Sequence, residues 1–508
     1  MADTDPVIRT FQGHLRGAAV DGVAVFKGIP YAQPPVGDLR WRPPASPRPW
    51  QGERSATAFA AACVQPQHSS TFVWRRAAFA VDEDCLYLNL WAPADAADAP
   101  VMVWFHGGAH TSGMGHSTIF DGTNLAQRGV VVVTVNYRLG PLGFLAHPWL
   151  ARESAQDSAG NYGLLDKIAA LNWVRDNIEA FGGNPRNVTI FGQSAGSQSV
   201  CALMASPLAE GLFHKAIGQS AAWMEPSAGR DADGRQRGAK LVDALDGIDN
   251  LEALRAVPAE TLLATAAATG WEAGSRLVVD GWVVPRLPAE TFAAGQQHRV
   301  PLLLGSLANE GIELIPRNDT LTEAAWDTML ERLAPADPSA LRAAFADAGT
   351  PGQRQHALLT ERFMAFGMRR WAEYHVRAGA PAYLYFMDHV PPAFHLYMPE
   401  NPELELPDGP RSAGAYHSGD LAYVFDNTRR VGLHWDAGDH TLAGLMADYW
   451  TGFARSGDPN GNGRPAWPAF EPGTFTTLRL NTAPAATAGV RRARLDALAA
   501  ALPPLPGP

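Results

Sequence analysis

The sequence is poor in cysteine and has no long apolar or basic run. Its 508 residues include three cysteines, Cys63, Cys85 and Cys201. This odd and sparse count excludes a disulfide scaffold, and no C-x-x-C pair indicates zinc or redox chemistry. No apolar stretch reaches the roughly 18 residues of a membrane-spanning helix. Lysine and arginine form no cluster and the net charge is −10, so no nucleic-acid partner is expected.

Signals for targeting, metals and nucleotides are missing as well. The first six residues contain neither the cationic nor the apolar segment of a signal peptide, which predicts a cytoplasmic protein or one whose signal has been removed. No H-E-x-x-H, P-loop or dinucleotide motif is found. Residues 458–463 resemble the first half of a calcium loop, but Ala469 stands where that loop needs glutamate. We therefore expect no metal and no cofactor.

Apolar residues make up 46% of the chain, enough for a large core. Several fall in short continuous runs, which are typical of strands buried on both faces of a parallel sheet. These runs are Val101–Phe105, Val130–Val135, Val188–Phe191, Ala216–Ser220, Pro301–Gly305 and Ala382–Phe386. A helical stripe from Asn161 to Phe181 separates the second run from the third. This alternation predicts an α/β protein with a mostly parallel, doubly wound central sheet.

The remaining segments predict how the chain surrounds that sheet. Residues 7–45 suggest two short strands and a loop rich in proline and glycine. Residues 226–275 and 320–378 have helical spacing and predict helical excursions, whereas residues 387–416 predict a long irregular loop of the kind that shapes a site. We expect a single domain over residues 7–500 and a disordered tail over residues 501–508.

One stretch predicts a catalytic nucleophile. Residues 188–191 run straight into Gly192-Gln193-Ser194-Ala195-Gly196, and a helix-compatible segment follows. This is the strand, sharp turn and helix of a G-x-S-x-G nucleophile elbow, in which glycines flank a serine held in strained backbone angles. An ordinary strand-to-helix turn can spell the same five letters by chance, so the pattern alone leaves both interpretations open.

A serine nucleophile needs a histidine base and a carboxylate that orients the histidine. In proteins with such an elbow on a doubly wound sheet, these residues follow one another in the chain as Ser, acid, His. Glu310 follows a predicted buried strand, where catalytic groups of such sheets gather. His417 lies in a downstream loop. Order alone does not single it out, because six other histidines also follow Glu310: His356, His375, His389, His395, His434 and His440.

Several longer motifs resemble type B carboxylesterases, the family that includes cholinesterases and bacterial p-nitrobenzyl esterases. The similarity covers roughly residues 7–475. Its motifs are Phe26–Ala32, Glu83–Leu90, Asn161–Asp166, Phe181–Thr189 and Tyr449–Pro459. The resemblance implies an α/β-hydrolase fold and a serine carboxylesterase acting on small-molecule esters. It also implies the triad Ser194, Glu310 and His417, although the spacing around Glu310 differs by one residue from the usual motif.

The same resemblance implies an oxyanion hole. His106-Gly107-Gly108-Ala109 corresponds to the family's glycine-rich loop. The backbone N–H groups of Gly108, Ala109 and Ala195 are then expected to face the carbonyl oxygen, with Gly107 allowing a close approach. Without the elbow, the loop would read as a glycine-rich strand end.

Five further positions are interpreted through the resemblance. Gln193 stands where many members carry glutamate, which favours uncharged esters over cationic ones. His110 is expected either to line the pocket, which we prefer, or to pack. Trp74 is a candidate for the pocket rim, with an exposed or packed tryptophan as the alternative. Ser220 and Asp420 match positions that support the triad from behind, and Asp420 is shorter than the usual glutamate.

Some features are left open by the sequence. Cys63 and Cys85 match the pair that closes an Ω-loop in the family, yet a reducing cytoplasm favours free thiols, so a disulfide is one of two alternatives. Carbamates, amides or thioesters are alternative substrates because a triad serves all of them. A catalytically inactive binding protein is a further alternative, disfavoured by the intact triad. The chain could be a monomer or a weak dimer.

Overall fold

The computed structural model describes residues 5–67, 72–224, 231–273, 276–461 and 463–502. The predicted disordered tail over residues 501–508 falls outside this range except for its first two residues, and Ala501 is the last residue of a helix. No helix among the described residues is long and apolar enough to cross a membrane.

Sixteen strands are found in the described residues. They are β1 (Val7–Arg9), β2 (His14–Arg16), β3 (Ala18–Val20), β4 (Val23–Pro30), β5 (Glu53–Ser55), β6 (Ala62–Cys63), β7 (Val81–Asp82), β8 (Tyr87–Pro93), β9 (Ala99–Phe105), β10 (Val131–Val135), β11 (Gly183–Gln193), β12 (Lys215–Gln219), β13 (Leu302–Leu307), β14 (Ala382–Met387), β15 (Thr476–Leu480) and β16 (Ala485–Ala488).

Eleven of these strands form the central sheet, in the order β16-β15-β14-β13-β12-β11-β9-β10-β8-β4-β3. The seven strands from β15 to β10 in this order run parallel. Both edges are antiparallel: β16 pairs with β15 on one side, and β8, β4 and β3 follow β10 on the other. Two small sheets, β1-β2-β5 and β6-β7, lie outside it.

Helices cover both faces of the sheet. They are α1 (Thr123–Ala126), α2 (Gly140–Phe144), α3 (Pro148–Glu153), α4 (Tyr162–Asn177), α5 (Ala195–Ala205), α6 (Asp231–Asp243), α7 (Leu251–Ala256), α8 (Ala259–Thr269), α9 (Pro288–Ala293), α10 (Gly311–Leu314), α11 (Glu323–Leu333), α12 (Ser339–Ala344), α13 (Pro351–Thr360), α14 (Phe366–Arg377), α15 (Leu421–Val424), α16 (Ala437–Ser456) and α17 (Arg492–Ala501).

The alternation of side chains along β9 explains why the run is apolar throughout. Val101 and Val103 pack into one core cluster together with residues of α5, whereas Met102 and Trp104 pack into a second cluster with residues of α16. Successive residues of a strand point to opposite faces, so a strand covered on both faces buries every side chain. The predicted doubly wound sheet is confirmed.

Two parts of the sequence prediction need correction. Residues 7–45 form four strands and not two, because β3 and β4 extend the antiparallel edge of the sheet. The sequence analysis predicts none of the strands β5, β6, β7, β8, β15 and β16. Between β14 and α15, residues 388–420 form no strand or helix, which agrees with the irregular loop that the proline-rich composition indicates.

Candidate active site

Ser194 stands at the sharp turn between β11 and α5. Its backbone angles, φ of 56° and ψ of −124°, lie in a region that residues other than glycine rarely adopt. The flanking glycines make this turn possible. A Cβ on Gly192 would come within 2.5 Å of the backbone carbon of Gly196, and one on Gly196 would come within 1.9 Å of the carbonyl oxygen of Phe105. The predicted elbow geometry is therefore present.

Glu310 and His417 meet in the interior although 106 residues separate them in the chain. Glu310 follows β13, and its Oε2 accepts a hydrogen bond of 2.7 Å from Nδ1 of His417. Its Oε1 accepts a second hydrogen bond of 2.6 Å from the backbone N–H of Leu307. The carboxylate is fully buried, so it is held in one orientation and fixes the imidazole tautomer with its proton on Nδ1.

The loop that carries His417 is tied directly to the loop that carries Glu310. The backbone N–H of Asn309 donates to the carbonyl of Ala415 over 2.9 Å, and the Asn309 Oδ1 accepts from the N–H of Ala415, also over 2.9 Å. Gly414, with φ of 65°, lies against the Asn309 side chain at a place where a Cβ would collide. These contacts position Glu310 and His417 together.

The side chain of Gln193 lies between the elbow and the imidazole. Its amide Nε2 is 3.0 Å from Nε2 of His417 and donates to that nitrogen when the imidazole proton is on Nδ1. This is the one hydrogen bond that Nε2 of His417 makes to the described residues. Ser194 and His417 line the same pocket, and the hydrogen bond between a nucleophile and its base often tightens only once a substrate is bound.

The glycine-rich loop after β9 presents N–H groups to the pocket. The C=O and N–H of a planar trans peptide point in opposite directions. The Gly107 carbonyl accepts a 2.7 Å hydrogen bond from Nδ1 of His106, so the N–H of Gly108 points the other way. The Gly108 carbonyl accepts from the N–H groups of Thr111 and Ser112, which turns the N–H of Ala109 outward in the same manner.

Two further observations support an oxyanion hole here. The Ser194 carbonyl accepts from the N–H of Gln198 in the first turn of α5, so the N–H of Ala195 faces away from the helix. A Cβ on Gly107 would lie only 3.1 Å from Cβ of Ser194. Gly107 thus allows the loop to approach the serine closely, and Gly107, Gly108 and Ala109 all line the pocket. Burial lowers the pKa of His106 to about 3, which keeps its imidazole neutral.

His110 does not line the pocket, contrary to our preferred interpretation of the sequence. Its backbone is left-handed, with φ of 59°, and this turns the side chain beneath the loop. Its Nε2 lies 3.1 Å from Oγ of Ser199, and its ring packs against Phe144 with centroids 5.0 Å apart. Burial lowers its pKa well below the usual value. The packing alternative is therefore the correct one.

Asp420 is fully buried behind the acid and the base. Its Oδ2 accepts hydrogen bonds from Nε2 of Gln219 at 2.8 Å and from the hydroxyl of Tyr385 at 3.0 Å. Burial raises its pKa to about 6, and the nearby negative charge of Glu310 adds to this effect. Ser220, at the end of β12, is equally buried, but its Oγ makes no hydrogen bond to the described residues.

We expect Asp420→Asn to stabilise the protein at pH 8 but not near pH 4. The folded carboxyl keeps its proton up to about pH 6 and the unfolded one releases it near pH 3.8, so stability falls as pH rises through this window. The loss is at most about 3 kcal/mol. Asparagine removes it while retaining an acceptor for Gln219 and Tyr385. Melting temperatures at both pH values test this, and an equal shift at both would contradict it.

Cys63 and Cys85 are buried free thiols in contact with one another. The hydrogen bond that the Cys85 thiol donates to Cys63, together with burial, raises the pKa of Cys85 well above its usual value. The sulfur of Cys63 also accepts a 3.3 Å hydrogen bond from the N–H of Leu139. Of the two alternatives, the structure has the thiols and not the disulfide.

Ser194 and His417 line a pocket of about 250 Å³. Trp74, the candidate rim residue, lies in the wall of this pocket: its ring meets the His417 ring edge to face at 5.8 Å, and its indole N–H donates to Oγ of Ser418. Residues that the sequence analysis did not single out complete the lining: Arg76, Ser112, Phe120, Leu314, Tyr397, Ser418 and Leu421. Within the described part of the chain, no group of three His, Cys, Asp or Glu side chains is placed to hold a metal ion.

The sequence and the fold were compared with known proteins. A model of the carboxylesterase family matches residues 4–498. The chain is 34% identical to the para-nitrobenzyl esterase of Bacillus subtilis (strain 168), over 94% of this chain and 95% of that protein. It is 35% identical to the fumonisin B1 esterase of Sphingopyxis macrogoltabida, over 90% of this chain and 84% of that protein. The crystal structure of a Geobacillus stearothermophilus carboxylesterase superimposes with a TM-score of 0.81 at 35% identity, covering 96% of this chain and 99% of the other.

Proposed function

The chain belongs to the carboxylesterase family and hydrolyses carboxylic esters, and we propose that Ser194, His417 and Glu310 perform this reaction through an acyl-enzyme. The observation that carries the proposal is the buried hydrogen bond of 2.7 Å between Glu310 Oε2 and His417 Nδ1. It keeps the proton on Nδ1, so Nε2 of His417 carries the lone pair that takes a proton at the pocket that Ser194 lines, once the Gln193 amide has given way.

Acylation follows from this arrangement. The Ser194 Oγ attacks the ester carbonyl while His417 Nε2 accepts the hydroxyl proton. The carbonyl oxygen becomes negative and is stabilised by the N–H groups of Gly108, Ala109 and Ala195, which are already oriented before the substrate arrives. The bond to the leaving oxygen then breaks. The alcohol departs with the proton from His417, and the acyl group stays on Ser194.

Deacylation repeats these steps with water. His417 Nε2 removes a proton from water as the water oxygen attacks the acyl-enzyme, and the same N–H groups stabilise the second oxyanion. Breakdown of this intermediate returns the proton to Ser194 Oγ and releases the acid. During both steps Glu310 stabilises the imidazolium. The amide of Gln193, which contacts Nε2 in this structure, gives way to the Ser194 hydroxyl or to water.

The ester reaction is favoured over the other chemistries that a triad can support. Both curated relatives described above are named esterases, one for p-nitrobenzyl esters and one for fumonisin B1. The pocket of about 250 Å³ suits small acyl or alcohol groups. An intact triad and oxyanion loop argue against a purely binding role.

Product partitioning tests the acyl-enzyme directly. We expect phenyl, p-nitrophenyl and ethyl butyrate, hydrolysed in dilute methanol, to give one common ratio of methyl butyrate to butyric acid. The reason is that the three esters would form the same butyryl-Ser194, which methanol and water then share after the leaving group has gone. The ratio is measured by gas chromatography. A ratio that changes with the leaving group would mean that no common acyl-enzyme forms.

A further inference from the structure

Arg76 places a positive charge in the wall of the pocket. It lies two residues after Trp74 and lines the same cavity as Ser194 and His417, yet only 5% of the residue is exposed. Among the described residues that line the cavity, no other lysine or arginine and no aspartate or glutamate is present. The charge therefore faces a pocket that offers it no counter-charge.

The guanidinium has few partners of its own. Its Nη2 donates a 2.9 Å hydrogen bond to Oγ of Ser112, and its Cζ lies 4.7 Å from the centroid of the Tyr397 ring. The guanidinium also makes a side-chain hydrogen bond to Tyr397, so both of its partners are uncharged. Its Nε makes no hydrogen bond to the described residues, and none of the ion pairs found between described residues includes Arg76. Burying a charge without a counter-charge is costly, whereas a bound carboxylate would satisfy the planar fork of N–H groups.

Two contacts hold this guanidinium beside the reaction centre. Ser112, its hydrogen-bond partner, donates through its own N–H and Oγ to the carbonyl of Gly108 in the oxyanion loop. Arg76 and Tyr397 also form an isolated backbone bridge, which links the 63–85 segment to the irregular 388–420 loop. A group bound by Arg76 would consequently lie close to an ester held at the oxyanion hole.

We propose that Arg76 binds a carboxylate carried by the substrate, so that the enzyme prefers esters bearing a free carboxylate, such as half-esters of short dicarboxylic acids. This rests on the proposed function, since it assumes that Ser194 is where the ester reacts. It differs from the expectation of uncharged substrates, which depended on Gln193 alone. Gln193 brings no charge to the pocket, and Arg76 brings a positive one that also disfavours cationic esters.

Matched pairs of esters test the proposal. The monomethyl and dimethyl esters of succinate, glutarate and adipate differ in charge at nearly constant shape, and the series samples different distances between carboxylate and ester. We expect kcat/KM of the half-ester to exceed that of the diester by about 10-fold or more at the best length, as one charge-assisted hydrogen bond allows. O-Acetylglycolate and its methyl ester place the carboxylate in the alcohol part instead, and preference for either set supports the proposal.

Variants locate the effect on this side chain. Arg76→Gln should lower the half-ester to diester ratio by about 10-fold, and Arg76→Lys, which keeps the charge but loses the fork, by less. Arg75→Gln is the matched control: it removes the same charge from the adjacent, exposed position and should leave the ratio unchanged. An equal fall in kcat/KM for both ester types in Arg76→Gln, or an equal change of ratio in Arg75→Gln, would overturn the proposal.

A measurement on the unmodified enzyme covers the case in which Arg76→Gln does not fold. Glutarate should inhibit hydrolysis of p-nitrophenyl acetate competitively at pH 7.5, and its uncharged analogue glutaramide should inhibit at least about 10-fold more weakly. Equal inhibition by both, together with faster hydrolysis of every diester, would contradict a carboxylate site. Failure of the proposed function is distinguishable, because Ser194→Ala would then still hydrolyse both kinds of ester.

Discussion

Replacing Ser194 by alanine is expected to lower kcat for p-nitrophenyl acetate by about 10⁶-fold while the protein stays folded. The variant keeps the oxyanion N–H groups and the binding pocket, which alone retain a residual acceleration of about 10³–10⁴-fold over water. It loses the one hydroxyl at the elbow, so no acyl-enzyme can form. The alanine also retains the Cβ that the left-handed backbone at position 194 already accommodates.

Ser197→Ala provides the control for this variant. Ser197 lies in the first turn of α5, the helix that follows Ser194, but its Oγ donates to the carbonyl of Ala221 over 2.5 Å and Ser197 does not line the pocket. We expect its kcat to stay within a few-fold of the unmodified enzyme. Stopped assays at high enzyme concentration, with circular dichroism of both variants, make the comparison. Turnover by Ser194→Ala similar to that of Ser197→Ala would rule out the proposed nucleophile.

Glu310→Gln is expected to lower kcat by about 10⁴-fold although the side chain keeps its shape. The reason lies in the two hydrogen bonds of the carboxylate. The N–H of Leu307 requires an acceptor and therefore takes the new amide oxygen, which turns the amide NH₂ toward Nδ1 of His417. The imidazole must then accept at Nδ1 and carry its proton on Nε2, where it can no longer remove the proton of Ser194.

A matched substitution lies three residues away. Glu313 is carried by the same short turn, and burial raises its pKa to about 8, so near neutral pH glutamine closely resembles its protonated form. We expect Glu313→Gln to retain kcat within a few-fold. Steady-state kinetics of both variants from pH 6 to 9 would show the difference. A loss of less than 10-fold in Glu310→Gln would mean that this carboxylate does not set the tautomer.

The sequence predicted best those features that are encoded locally. The six apolar runs are all strands of the sheet, because burial on both faces leaves a continuous signature in each segment. The G-x-S-x-G pattern likewise reports a local steric requirement, which Gly192 and Gly196 meet in the structure. β8 was missed because its polar Asn89 interrupts the run; in the fold, the Asn89 amide donates to Thr134 on the neighbouring strand.

The pocket was harder to predict because its wall joins distant segments. Arg76 is buried only because Ser112 and Tyr397 approach it from other parts of the chain. In the sequence Arg76 is one of two adjacent arginines, and nothing in the pattern indicates that Arg75 is exposed whereas Arg76 is buried. The direction of His110 depended similarly on a left-handed backbone angle that composition does not reveal.

The most direct test of the account is to locate the covalent adduct of an organophosphate such as diisopropyl fluorophosphate. We expect one adduct per chain, loss of esterase activity in proportion to labelling, and a modified peptide whose phosphorylated residue is Ser194 in tandem mass spectrometry. The Ser194→Ala protein should stay unlabelled under the same conditions. Complete inactivation with the label on another residue, or full labelling of Ser194 with esterase activity retained, would contradict the central claim.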